Sequence, residues 1–222
     1  MPFISLAEVC KQYKSDLVAC NNVNLCVEKG QVCLLKGNDL LCKSTLLDII
    51  GGMDRPTAGI ACVDGTDLSL LRGGKLNAYR RKVGFVYADE TALLGLTVGE
   101  NIMLSAHLCK VKASADKLLA AVGLDNIADE PVRSLDNKQR QLVCVARALA
   151  RRPEVLLFDV DEGLLDAHSL LKVAAFIKKM CDKFGMTAVI SLTGDRLDSL
   201  ADVIYTFDAD DAVEKCGGAA NE

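Results

Sequence analysis

Leu34-Leu35-Lys36-Gly37-Asn38-Asp39-Leu40-Leu41-Cys42-Lys43-Ser44-Thr45 is a short apolar strand that runs into a glycine, a loop and a Lys-Ser-Thr step. The phosphate-binding loop G-x-x-x-x-G-K-[ST] has this form because backbone N–H groups must wrap phosphates. Its lysine reaches the outer phosphates and its hydroxyl meets Mg2+. Gly37, Lys43 and Ser44 keep that spacing. The second glycine is missing: Cys42 precedes the lysine, and a Cβ there disfavours left-handed or closely approaching backbone by about 1–2 kcal/mol. Asp39, Leu40 and Leu41 fill a loop that should be small and electropositive. Taken alone, so broken a match is weak evidence for a nucleotide site. An ordinary strand-to-helix turn would give the same residues.

Working outward, residues 3–9, 22–28, 31–36 and 59–63 read as short strands separated by turns such as Glu28-Lys29-Gly30. Helical spacing runs from Lys43 to Ile50 and again from Lys75 to Arg81, before the apolar strand Val83-Gly84-Phe85-Val86-Tyr87. Thr97 to Leu149 is helical almost throughout, broken near Gly123 and Pro131, which predicts an all-helical insertion. Pro153-Glu154-Val155-Leu156-Leu157-Phe158-Asp159 is a continuous apolar run ending in an acid, as expected of a buried parallel strand. Leu170, Val173, Ile177, Met180 and Phe184 repeat at helical spacing up to Gly185. Thr187 to Leu192 and Val203 to Phe207 add strands, and the tail after about Asp208 is expected to fray. Strands alternating with helices predict an α/β fold with a parallel sheet.

With 222 residues, half of them apolar, the chain can bury one substantial core with an inserted subdomain. A net charge of −4 and the absence of a Lys/Arg block argue against nucleic acid as a partner. No apolar run reaches the length of a membrane span, and Met1-Pro2-Phe3 opens no signal peptide, so a cytoplasmic location is expected. The ten cysteines form no C-x-x-C pair and read mainly as small buried thiols. Cys42 stands apart, because a helix N-terminus lowers a thiol pKa and favours reactivity. His107 and His168 have no ligand-type neighbours and read as surface residues.

Several runs in fixed order resemble the ATP-binding subunit of ABC transporters, especially the group serving lipoprotein release, macrolide export and the cell-division complex. They are Lys43-Ser44-Thr45-Leu46-Leu47, the segment Ile49-Ile50-Gly51-Gly52-Met53-Asp54-Arg55-Pro56-Thr57-Ala58-Gly59, Val83 to Tyr87, and Val145-Ala146-Arg147-Ala148-Leu149 with Pro153 following. The likeness covers nearly all of residues 3–207. It implies a P-loop NTPase (RecA-like) core with a parallel sheet, an N-terminal antiparallel β subdomain and an inserted α-helical subdomain. The expected division is one domain over 1–222, with 1–90 and 150–222 as core and β subdomain and 91–149 as helical subdomain.

The resemblance also assigns roles where this sequence has the residue. Tyr13 matches the aromatic on which adenine stacks, although a half-exposed strand tyrosine would look the same. Gly37, Lys43, Ser44 and Thr45 match the phosphate loop, Ser44 and Asp159 the Mg2+ site, and Asp166 the acid of the following loop. Other roles have lost their residue. Val160 stands where a glutamate polarises the attacking water, a loss that costs about 10²–10⁴ in rate. A slipped register nominating Asp161-Glu162 is rejected, because the steps from Pro153 to Asp159 and from Asp159 to Asp166 fit unslipped. Ala88 replaces the Mg2+-sensing glutamine and Gly194 the switch histidine, so neither side chain can hydrogen-bond. Leu135-Asp136-Asn137-Lys138-Gln139 replaces the signature of leucine, serine, two glycines and glutamine. Asp136 brings a carboxylate towards a bound phosphate; at about 5 Å and an effective dielectric near 20, each pair of unit charges costs roughly 3 kcal/mol, which Lys138 could partly offset.

These losses predict a non-catalytic ABC-ATPase-like protein that binds ATP and Mg2+ weakly at most. Such a chain would act as a binding or scaffold module, whether natural or with its active site removed. One alternative is a functional ATP-binding subunit driving lipoprotein release or export by hydrolysis. Another is a degenerate partner in a heterodimeric ABC ATPase, a role weakened because both the phosphate loop and the signature are altered in one chain. The partners implied are a second ABC ATPase, as homodimer or heterodimer, and a membrane permease that would hold the chain at the inner membrane.

Overall fold

The computed structural model describes residues 2–14, 16–87, 91–160 and 162–207, and the backbone of 213–217. In chain order come β1 (Ile4–Gln12), β2 (Val18–Val27), β3 (Val32–Lys36), α1 (Leu40–Ile50), β4 (Ala58–Val63), β5 (Thr66–Asp67), α2 (Gly73–Arg81), β6 (Val83–Val86) and α3 (Val98–Leu108). They are followed by α4 (Ala115–Val122), α5 (Asn137–Ala150), β7 (Val155–Asp159), α6 (Ala167–Phe184), β8 (Thr187–Ser191), β9 (Val203–Phe207) and β10 (Val213–Gly217). One sheet is antiparallel with the order β2-β1-β4-β5. The other runs β10-β9-β3-β8-β7-β6, parallel except for β10.

Both faces of the parallel sheet are covered, which is why its strands read as unbroken apolar runs. Side chains alternate along a strand. Val32, Leu34, Leu156 and Phe158 therefore enter one core, with Ile102 of α3, Leu119 of α4, Val143 of α5 and Ile177 of α6. Cys33, Leu35, Val155 and Leu157 enter a second, with Leu46, Leu47, Ile49 and Ile50 of α1 and with Ile4, Val9, Val23 and Leu25 of the antiparallel sheet. Helix α1 is thus wedged between the two sheets, and its first turn lies at the carboxyl ends of the parallel strands, where open α/β sheets place ligands.

Four local expectations need correction. Helix α1 begins at Leu40, not Lys43, because the Asp39 side chain caps it. Strand β2 begins at Val18, earlier than expected. The helical stretch breaks at Gly123 as expected, with φ 86°, but also between Leu108 and Ala115, giving α3, opened by a Thr97–Glu100 capping box, then α4, then α5. The tail adds β10, antiparallel to β9, instead of fraying at once. Among the described residues no helix is long and apolar enough to cross a membrane.

Candidate nucleotide site

Gly37, at φ 103°, turns the chain out of β3 in a conformation that side chains other than glycine rarely adopt. Beyond it the loop satisfies itself. The Asp39 N–H donates to the Phe207 carbonyl at 3.2 Å, and the Cys42 N–H donates to Asp39 Oδ1 at 2.9 Å. A helix N-terminus ordinarily offers such N–H groups to an anion. Lys43 is fully buried, and its ammonium donates to the carbonyls of Gly37 and Leu192, each at 2.6 Å. Leu40 and Leu41 stand 62% and 41% exposed in front of it. Cys42, read from sequence as a reactive thiol, is buried against Cys20 of β2. Its hydrogen bond and burial push the Cys20 thiol far above the ordinary range.

Ser44, one residue on, donates its hydroxyl to Asp159 Oδ2 at 2.6 Å, joining α1 to the end of β7. Beside Asp159, the Val160 N–H donates to the Ser191 carbonyl at 3.0 Å and its side chain is buried with the aliphatic core. Thr45 lies 3.3 Å, hydroxyl to hydroxyl, from half-buried Tyr13 just past β1. The Lys11 ammonium sits 4.8 Å over the Tyr13 ring and is held by Asp54 at 2.7 Å and the Arg55 carbonyl at 2.9 Å. A flat ring stacking on Tyr13 would have to use the opposite face. Ala88 lies outside the described residues.

The site also uses a residue that the sequence reading set aside. Glu162 Oε1 accepts the N–H of Thr193 at 2.5 Å and that of Gly194 at 3.0 Å, so a carboxylate braces the turn that the resemblance matched to a switch histidine. Burial alone would raise the Glu162 pKa. The two backbone N–H groups, with Arg196 and Lys43 nearby, reverse this and hold it below the ordinary carboxylate value. An acid three residues past Asp159 was visible in the sequence, but its partners are main-chain donors. Asp161 lies outside the described residues.

Asp136 caps α5: its Oδ1 accepts the Gln139 N–H at 2.7 Å, while Gln139 Oε1 accepts the Asp136 N–H at 3.0 Å. The carboxylate that sequence marked as a defect is therefore a complete capping box. Lys138, read as offsetting Asp136, pairs with Asp166 instead. Hydrogen bonds from Lys138 and from the Ser169 N–H hold Asp166 down at about 2.

For Mg2+, the Ser44 hydroxyl and Asp159 carboxylate supply the hard oxygen donors that the ion prefers. For a triphosphate the fit is poorer, because the α1 amide of Cys42 and the Lys43 ammonium are already engaged by the protein. The parallel sheet, the glycine turn and the Lys43-Ser44-Asp159 grouping define a P-loop nucleotide-binding fold.

A family model described as ABC transporter matches residues 20–160. The lipoprotein-releasing system ATP-binding protein LolD of Bacteroides thetaiotaomicron is 32% identical over 205 residues, covering 90% of this chain and 94% of that protein. The sulfate/thiosulfate import ATP-binding protein CysA of Mycobacterium tuberculosis is 34% identical over 202 residues, 89% of this chain; the chain spans only 56% of that relative's length. The dimeric structure of MJ0796, a bacterial ABC transporter cassette, matches with a TM-score of 0.87 at 28% identity, over 98% of this chain and 100% of that one. A post-hydrolysis MJ0796 dimer bound to ADP and Pi matches at 0.84. The chain belongs to the ABC transporter ATP-binding family.

Proposed function

We propose that the chain is the ATP-binding subunit of an ABC-type transport assembly, working beside a second cassette and against a membrane permease that holds it at the membrane. The near-complete coverage of the lipoprotein-releasing relative supports this over a free-standing scaffold. Residues 1–90 and 150–222 would form the core with its β subdomain, and 91–149 the helical subdomain. The observation that carries nucleotide binding is the Ser44–Asp159 pair beside Lys43, which keeps the metal-facing part of the site. When bound, Mg2+ would neutralise phosphate charge. Ser44 and Asp159 would orient it, Lys43 would have to leave the Gly37 and Leu192 carbonyls to meet a phosphate, and Tyr13 would seat the base.

Val160 favours a second reading of the same subunit, in which ATP is held weakly and not turned over. An aliphatic side chain at the end of β7 accepts no proton from water, and Gly194 offers only its N–H, already given to Glu162. The cassette would then act through binding and docking, with hydrolysis left to a competent partner.

One sample tests both readings. A fluorescent ATP analogue with Mg2+ is titrated, and phosphate release is measured in parallel. Saturable binding without release above background is expected. Release that collapses in Lys43→Ala would overturn the second reading and leave the first intact. No saturation at millimolar nucleotide would remove the ATP-binding role.

A further inference from the structure

Cys20 is the third residue of β2 and Cys42 the third of α1, and they meet sulfur to sulfur at 3.0 Å where the antiparallel sheet covers the helix. The Cys20 sulfur also lies 3.5 Å from the Cys42 carbonyl oxygen. Both side chains are nearly inaccessible, at 3% and 4% exposure. Two buried cysteines in a core need not touch. Cys33 and Cys144 rest against oxygen atoms instead, the Leu34 carbonyl and the Thr91 hydroxyl. A disulfide bond is about 2.0 Å long, so the pair needs to close by only about 1 Å.

From this geometry we propose that Cys20 and Cys42 are a site of reversible oxidation, closing to a disulfide that ties β2 to the first turn of the phosphate-loop helix. Hydrogen peroxide is the co-reactant. One thiolate attacks a peroxide oxygen, forming an S–O bond as the O–O bond breaks; the released hydroxide takes a proton and leaves as water. The Cys20 thiol then attacks the sulfenic sulfur of Cys42, giving up its proton to the departing hydroxide as the S–S bond forms and the S–O bond breaks, which yields a second water. Two thiols are oxidised and one peroxide is reduced to two waters. An external thiol reverses the step by exchange.

Burial makes the reaction selective. A peroxide is small enough to reach the pair through local opening at the start of α1, where Leu40 and Leu41 are exposed, and the reducing thiol enters by the same opening. The link lies next to Lys43, so it would fix the backbone that a phosphate must approach. This site does not depend on the chain hydrolysing ATP.

The test uses the full chain. It is exposed to a hydrogen peroxide series, alkylated in guanidinium, digested without reduction and analysed by mass spectrometry, with exposed Cys26 as an internal marker of oxidant. The expected product is the Cys20 peptide joined to the Cys42 peptide, with both residues lost to alkylation and both recovered by dithiothreitol. The oxidised chain should unfold roughly 5–10 °C higher than the reduced one. That shift should vanish in Cys20→Ser and Cys42→Ser. Full alkylation of both residues at peroxide levels that oxidise Cys26 would overturn the proposal, as would a Cys10–Cys20 link in its place. The wild-type chain alone decides the outcome if either variant fails to fold.

Discussion

The Ser44 hydroxyl donates a 2.6 Å hydrogen bond to the Asp159 carboxylate, so the start of α1 and the end of β7 meet in a single oxygen pair. An oxygen pair of this kind is where a hard divalent cation would stand. Asp159→Asn keeps the shape and removes the charge. Chelating Mg2+ should weaken nucleotide binding to the wild-type chain about 10–100-fold and change that of Asp159→Asn little. Equal Mg2+ dependence in a fluorescence titration would separate Asp159 from the metal.

Lys43 holds two carbonyls inside the protein, those of Gly37 and Leu192. Lys43→Ala strands both, and a buried acceptor left without a donor costs about 1–3 kcal/mol. Urea unfolding should show a loss of that order together with loss of nucleotide binding. A more stable variant would mean that the ammonium is strained rather than satisfied where it sits.

Hydrolysis should be recoverable if three positions limit it. Val160→Glu, Asp136→Ser and Gly194→His together should raise phosphate release by at least about 10²-fold over the parent chain. At position 194 an added Cβ would meet Glu162 Oε2 at 3.3 Å, so the carboxylate would have to give way by a few tenths of an ångström. Failure of the triple variant, folded and nucleotide-bound, would place the limiting loss in the phosphate loop itself.

Glu162 gives a pH signature. Its folded pKa lies below the ordinary value of 4.5, so the stability that it contributes is complete above that value and is lost as pH falls through the folded pKa. The stability difference between wild type and Glu162→Gln should be constant near neutrality and shrink below about pH 4.5. Chemical denaturation at a series of pH values measures it. A difference that grew on acidification would reverse the sign and exclude the bracing role.

Asp136 earns its place as a cap. Asp136→Ala should destabilise the chain by about 0.5–2 kcal/mol, and Asp136→Ser by much less, because serine also accepts the N3 amide. Equal losses for the two, by urea midpoint, would mean that the carboxylate acts through charge and not through the capping box.

Much of the fold was written in periodicity. The run from Pro153 to Asp159 announced a buried parallel strand and its terminal acid, and β7 ends at Asp159 against Ser44. What escaped was carried by the main chain. Asp39 looked only like an unwelcome charge, yet it accepts the Cys42 amide and starts α1 three residues early. Glu162 escaped for the same reason, since amides of Thr193 and Gly194 have no letter of their own in a sequence. Lys138 and Asp166 are far apart along the chain and meet because two helix starts converge. β10 is held by ladder hydrogen bonds at a sheet edge, which the residue pattern of Val213–Gly217 does not advertise.

The Asp39 carboxylate on the Cys42 amide has one more consequence. It is a tethered competitor, an anion present at the helix mouth at the high effective concentration of any group fixed to the same chain. A phosphate arriving from solution must displace it before gaining the amide, so apparent nucleotide affinity reports a contest between an internal ligand and an external one. Removing that internal ligand, as in Asp39→Ala, should therefore tighten phosphate binding even though it removes a contact from the folded protein.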